Sequence, residues 1–149
     1  MDSRNIRLML ALALVAGASC RKKAPPVLTA PSSPAAHVQG TPHTDEVLTA
    51  WRNAGLAPEG FAPVKPAPNS AAYCEHGTVG HVDTLVCEYA SDEALAQGIR
   101  QVKEGWARVD AHTGVVLAAK RTTMAVVDRE RREPSGKTIG QMTKAFRKL

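Results

Sequence analysis

The chain has 149 residues, a formal charge of +5 and aromatic side chains at only 4% of positions. That length holds one modest domain and excludes two well-filled cores once any export signal is set aside. With so few aromatics the core must be built from Val, Leu, Ile and Ala.

Arg4 and Arg7 precede an apolar run from Leu8 to Val15, which gives way to Ala16-Gly17-Ala18-Ser19-Cys20. A charged start, a short apolar run and a small-residue end make an export signal. Residues 1–20 resemble the signal of bacterial lipoproteins, in which the cysteine is diacylated and becomes the first residue of the mature chain. The resemblance implies a signal peptide over 1–19, palmitate-type lipidation of Cys20 and membrane attachment through that lipid. Arg21, standing where inner-membrane retention typically uses Asp, implies the outer membrane, facing the periplasm or the exterior. Gly17 occupies a position where the lipoprotein pattern usually has Leu, and Ala16-Gly17-Ala18 is itself an A-x-A site. Cleavage after Ala18, giving a soluble periplasmic or secreted protein, is therefore the alternative. The apolar run falls short of the roughly 20 residues needed to span a bilayer.

The chain has three cysteines. Assigning Cys20 to lipid leaves Cys74 and Cys87 as an even pair, and an oxidising envelope compartment favours their disulfide. Charge is uneven along the chain: residues 45–119 carry five basic and ten acidic side chains, whereas 120–149 carry nine basic and three acidic. The positive total therefore describes basic ends around an acidic middle. Such an end suits nucleic acid in principle, but an exported protein rarely meets it, and no nucleic-acid partner is expected. Arg21-Lys22-Lys23 suits anionic headgroups beside the lipid.

Residues 24–43 supply Pro, Ser, Ala and Gly without apolar periodicity, in Ala24-Pro25-Pro26, Pro31-Ser32-Ser33-Pro34 and Gly40-Thr41-Pro42. The expected organisation is a lipidated N-terminus with a disordered tether over 20–43 and a single domain over 44–149. His37 and His43 fall in the tether and read as solvated.

A first helix is expected over Asp45–Ala54, capped by Thr44, with Val47, Leu48 and Trp51 on its apolar stripe and Gly55 at its stop. Ala57–Pro66 is too proline-rich for regular structure, with Phe61 and Val64 pinning it to the core. If Cys74 faces Cys87, paired positions sum to 161, so Val79 meets Val82 across a Gly80-His81 turn of type II′. Leu85, Cys87 and Tyr89 then share one face, with Thr84, Val86 and Glu88 on the other. Ser91 caps a second helix whose Leu95, Ile99, Val102 and Trp106 face one side. Val115–Ala118 and Met124–Val127 read as a second hairpin across Lys120-Arg121-Thr122. Arg129–Ser135 is a charged loop, and a final helix buries Ile139, Met142 and Phe146 while exposing Lys144, Arg147 and Lys148. The fold class is α+β, in the order helix, two strands, helix, two strands, helix. The sheet is four-stranded and mainly antiparallel, with helices mainly on one face.

Several chemistries are open to the polar residues on this frame. Gly136-Lys137-Thr138 imitates the end of a phosphate-binding loop, but the pattern needs glycine at 131 and the chain has Arg131; helix entry is the simpler role. Cys74, His76, His81 and Cys87 offer zinc-type ligands, yet their spacing matches no finger or ribbon and export favours oxidised sulfur. No G-x-S-x-G marks a nucleophile, Asp92-Glu93 suit a helix start, and His112 reads as a turn residue. The expectation is an exported, lipid-anchored protein with a small non-enzymatic interaction domain, no cofactor and no metal. Its partner is an envelope protein or cell-wall polymer, and Arg129, Arg131 and Arg132 are the candidate contacts to an anionic partner. The rival is an exported enzyme or metal-binding protein using His76, His81 and Asp83.

Overall fold

A computed structural model of the protein describes residues 37–106 and 114–149. Three helices, α1 (Thr44–Asn53), α2 (Asp92–Gln101) and α3 (Lys137–Phe146), accompany five strands. These are β1 (Pro58–Pro63), β2 (Tyr73–Val79), β3 (Val82–Glu88), β4 (Gly114–Ala119) and β5 (Thr122–Val127). The strands form one antiparallel sheet in the order β1-β2-β3-β5-β4. The α+β class and the disulfide-stapled hairpin are as expected, but the sheet has five strands rather than four.

The additional strand is β1, within the stretch whose prolines argue against regular structure. Pro58 and Pro63 stand at its two ends, and its register shifts between Glu59 and Ala62. An edge strand needs only one side of its backbone bonded, so a missing proline N–H is tolerated there. Phe61 and Val64 do pack against the core.

The β2–β3 hairpin has the register that the cysteines dictate: Cys74↔Cys87, with every pair down to Val79↔Val82 in step. Gly80 takes φ 61°, the left-handed conformation required at the first position of a type II′ turn. Hydrogen-bonded and non-bonded pairs alternate from the turn, which puts Cys74 and Cys87 at a non-bonded pair, where strands approach most closely. Their Cα atoms are 4.1 Å apart and the sulfurs are joined.

Both faces of the sheet are covered. Val82, Val86, Met124 and Val126 pack with Val47, Leu48 and Trp51 of α1 and Ile139, Met142 and Phe146 of α3. On the opposite face Leu85, Cys87, Tyr89 and Ala125 meet Leu95 of α2 and Val102, which opens a π-helical turn (Val102–Trp106). Two helices therefore lie on one face and one on the other. The Trp106 side chain and His112 lie outside the described set. Gly98 is where α2 comes closest: a Cβ there would fall 2.6 Å from the Asn69 carbonyl and against the Tyr89 ring. Gly98→Ala is accordingly expected to cost about 1–3 kcal/mol of overpacking strain, visible as a lower urea midpoint.

Helix ends are held by distinct devices. Ser91 Oγ accepts from the Ala94 N–H at 3.2 Å, and bonds to its own backbone and to Ser91 hold the Glu93 carboxyl below its usual range. Ser91 is thus the side-chain N-cap expected for α2. At the end of α1, Leu56 N–H donates to the Trp51 carbonyl and Gly55, at φ 79°, to that of Arg52, a Schellman closure. The start of α1 differs from the expectation that Thr44 caps it. His43 is the cap residue, without a side-chain bond, and Thr44 is the first helical residue.

The acceptor that Thr44 was expected to supply comes from Glu88 on β3. Thr44 N–H and Oγ1–H donate to Glu88 Oε1 at 2.9 and 3.3 Å, while Val38 N–H donates to Oε2 at 2.8 Å. His37 Nδ1 completes the set at 2.7 Å from Oε1. Residues 37–43, read by composition as the end of a tether, are thus docked on the domain. Arg121 reinforces this with bonds to the Gln39 carbonyl at 2.8 Å and the Ala90 carbonyl at 2.5 Å. The buried hydroxyls of Thr41 and Thr122 meet at 2.7 Å, and Thr122 also donates to the Pro42 carbonyl.

Candidate functional site

The charged loop after β5 and the turn of the β2–β3 hairpin lie at the same end of the sheet, because Asp83 pairs with Val127, the last residue of β5. Between them is a cleft of about 340 Å³ lined by Thr78, Gly80, His81, Asp83, Arg129, Glu130 and Arg132. His81 and Asp83 of one candidate set and Arg129 and Arg132 of the other therefore meet in one place.

The loop is shaped by Asp128, a residue only 1% exposed. It accepts the Arg132 N–H at 3.1 Å and the Glu133 N–H at 2.7 Å, folding the chain back on itself. Arg131 sits at the apex in the left-handed region, φ 53°, and is exposed. Glu133 Oε1 then accepts the Thr138 N–H at 2.7 Å, so the first turn of α3 is served by a carboxylate from the loop. Gly136 enters α3 at φ 62°, the helix-entry role expected of it. Asp128→Ala would orphan the two loop N–H groups and is expected to lower stability by about 2 kcal/mol, with faster amide exchange over 129–133.

Within the cleft Arg129 Nε donates to Asp83 Oδ2 at 2.7 Å, and Arg132 Nε lies 2.5 Å from Glu130 Oε2. All four side chains are partly solvated, so these pairs contribute little stability. Their effect is positional. They place two planar guanidiniums, each turned toward a carboxylate of the chain, in the lining of a concave surface. Two cations face two carboxylates in the lining, and Arg131 beyond it adds to the positive side of the balance.

Of the rival set, His81 and Asp83 line the cleft, whereas His76 is exposed on β2 opposite Leu85 and does not. Cys74 and Cys87 are joined to each other. Among the described residues no group of three or more His, Cys, Asp or Glu side chains could hold a metal ion. No described helix is long and apolar enough to cross a membrane. Cys20 lies outside the described residues.

The residue that sequence reasoning missed is Glu88, 0% exposed at the opposite end of the sheet. The signal was present: Glu88 shares a face with Thr84 and Val86 in a strand apolar on both faces, so a carboxylate there must find donors. Around it His37 stacks on His43 with ring centroids 4.8 Å apart and meets Tyr73 edge-on at 4.6 Å. His37 Nε2 is also 3.9 Å from Asp45 Oδ2. Tyr73 donates to Glu75, and burial together with that bond pushes its phenol well above its ordinary 10.0. Burial likewise raises Tyr89, partly offset by its bond with Thr123. A raised phenol favours the neutral form in the fold, so the associated stability is intact below pH 10 and declines as pH rises through the folded-state values. An alkaline unfolding midpoint that moves up in Tyr73→Phe is the expected observation.

Comparison with protein-family models, characterised proteins and solved structures found no match to this chain.

Proposed function

We propose that the protein is an exported, lipid-anchored component of the bacterial cell envelope whose small domain binds an anionic partner without catalysis. The observation that carries this reading is the Cys74–Cys87 disulfide, a bond that persists in oxidising compartments and that accords with the export signal ahead of it. Cys20 would hold the lipid, and the outer membrane is the favoured location. The binding surface in this reading is the cleft end, where Arg129 and Arg132 are held at fixed positions and Arg131 projects from a backbone loop pinned by Asp128. A partner bearing carboxylates or phosphates suits these guanidiniums.

The anionic-contact half has a direct test. Binding to isolated envelope material across a salt series should weaken steeply with added salt, and the Arg129→Gln/Arg131→Gln/Arg132→Gln protein should lose most of it. Binding indifferent to salt, or unchanged by the triple substitution, sinks the anionic-contact reading. The rival metal reading predicts instead stoichiometric zinc and two titratable thiols in purified protein.

A further inference from the structure

The two edges of the sheet are built differently. β1 carries two prolines and a register shift, devices that stop an edge from templating another strand. β4 has neither: Gly114-Val115-Val116-Leu117-Ala118-Ala119 contains no proline and no charge. The turn fixes which of its backbone groups are presented. Ala119↔Thr122 closes the β4–β5 hairpin as a bonded pair, so Leu117 and Val115 also bond to β5. By the same alternation the N–H and C=O groups of Gly114, Val116 and Ala118 point away from β5. Among the described residues, no backbone hydrogen bond outside the hairpin ladder engages residues 114–119.

Charge decides what kind of strand fits this edge. Residues 114–127 include no acidic side chain. Lys120 stands just beyond one end of β4, and at the other end Gly114 pairs with Val127, before the loop in which Arg131 is exposed while Arg129 and Arg132 turn to Asp83 and Glu130 in the cleft on the β3 side. Over the strand lies α3, with Lys137 and Lys144 exposed on it and Lys148 exposed just beyond its end. A second copy pairing here would bring two such basic helices over neighbouring strands. An anionic polysaccharide has no backbone amides to offer the outward groups.

We infer that β4 accepts an extended acidic polypeptide segment of a partner as a sixth strand, its carboxylates attracted by Lys120 at one end, by the exposed Arg131 beyond the other and by the exposed lysines of α3. Main-chain bonds to Gly114, Val116 and Ala118 supply affinity, and the flanking cations supply selectivity. Six residues of strand span about 20 Å, enough for one short segment to touch both ends. This rests on the anionic-partner reading of the same loop and names its partner class.

The test uses the full chain with its disulfide intact and an octapeptide of alternating Val and Glu, against a Val/Lys octapeptide as control. Ala118→Pro deletes an outward N–H and leaves the β5 bonds in place. Ala118→Glu leaves the backbone unchanged and puts a carboxylate beside the acidic peptide. The acidic peptide should bind, protect the amides of Gly114, Val116 and Ala118 from exchange, and lose about tenfold or more in affinity with either variant. Affinity unchanged in both variants but lost in the triple arginine protein overturns the strand-addition proposal while leaving the anionic-contact reading intact. Outward amides already protected in the protein alone, with a mass that doubles on concentration, overturn it in favour of a second copy. Equal binding of the Val/Lys peptide overturns the acidic partner class.

Discussion

Replacing Cys74 and Cys87 together by alanine is expected to lower stability by about 3 kcal/mol, and reducing the native protein should do the same. The two residues are separated by 13 positions, so the bond removes closure entropy from the unfolded chain. In a domain of this size the loss corresponds to a fall of roughly 10–20 °C in Tm. Alanine suits the test because both sites are at most 1% exposed and a serine hydroxyl would need a partner there. The register should survive, since Gly80 and the paired Val79 and Val82 fix it independently of the sulfurs. Thermal unfolding with and without reductant measures the effect; a Tm insensitive to reductant in wild type would contradict it.

Glu88→Ala should be the other large perturbation. Its carboxylate receives donors from His37, Val38 and Thr44, and the alanine leaves all of them facing a cavity. Breaking a buried charged network of this kind costs about 3 kcal/mol or more. The loss should begin locally, because residues 37–43 are fastened at this point and at Arg121. Glu88→Gln, which keeps one acceptor oxygen, is expected to lose less. Amide exchange across 37–47, read beside urea unfolding, separates local release from global destabilisation. An alanine variant as stable as wild type would mean that the desolvation of the carboxylate offsets its hydrogen bonds.

Where structure depends on near neighbours, the sequence is a sufficient guide. The hairpin register follows from two cysteines and one glycine, and the start of α2 from Ser91 and the acids after it. The buried stripe of α3 is likewise visible in the spacing of Ile139, Met142 and Phe146. The parts that elude a linear reading depend on contacts between distant residues. β1 exists because β2 offers it a partner, and the cost of its prolines falls to almost nothing at an edge. The docking of 37–43 rests on bonds spanning about 50 to 80 positions, to Glu88, Arg121 and Thr122. Composition alone therefore reads that segment as tether.

The candidate site likewise depends on contacts between distant residues. Arg129, Arg131 and Arg132 stand out in the sequence as a cationic cluster, and His81 and Asp83 as a polar turn. Only the pairing of β3 with β5 puts the two in one cleft, and only the buried Asp128 shows that the loop has a fixed shape. Arg129 and Arg132 acquire carboxylate partners in the process, a feature that charge counting along the chain does not reveal.

Lipid at Cys20 is the proposed anchor of the protein, and intact-mass analysis of protein extracted from its own membranes detects it. The expected species begins at Cys20 with the mass of the acyl groups added, and two fewer hydrogens for the Cys74–Cys87 bond. A chain that begins at Ser19 with Cys20 unmodified, recovered from the soluble fraction, would contradict that anchor.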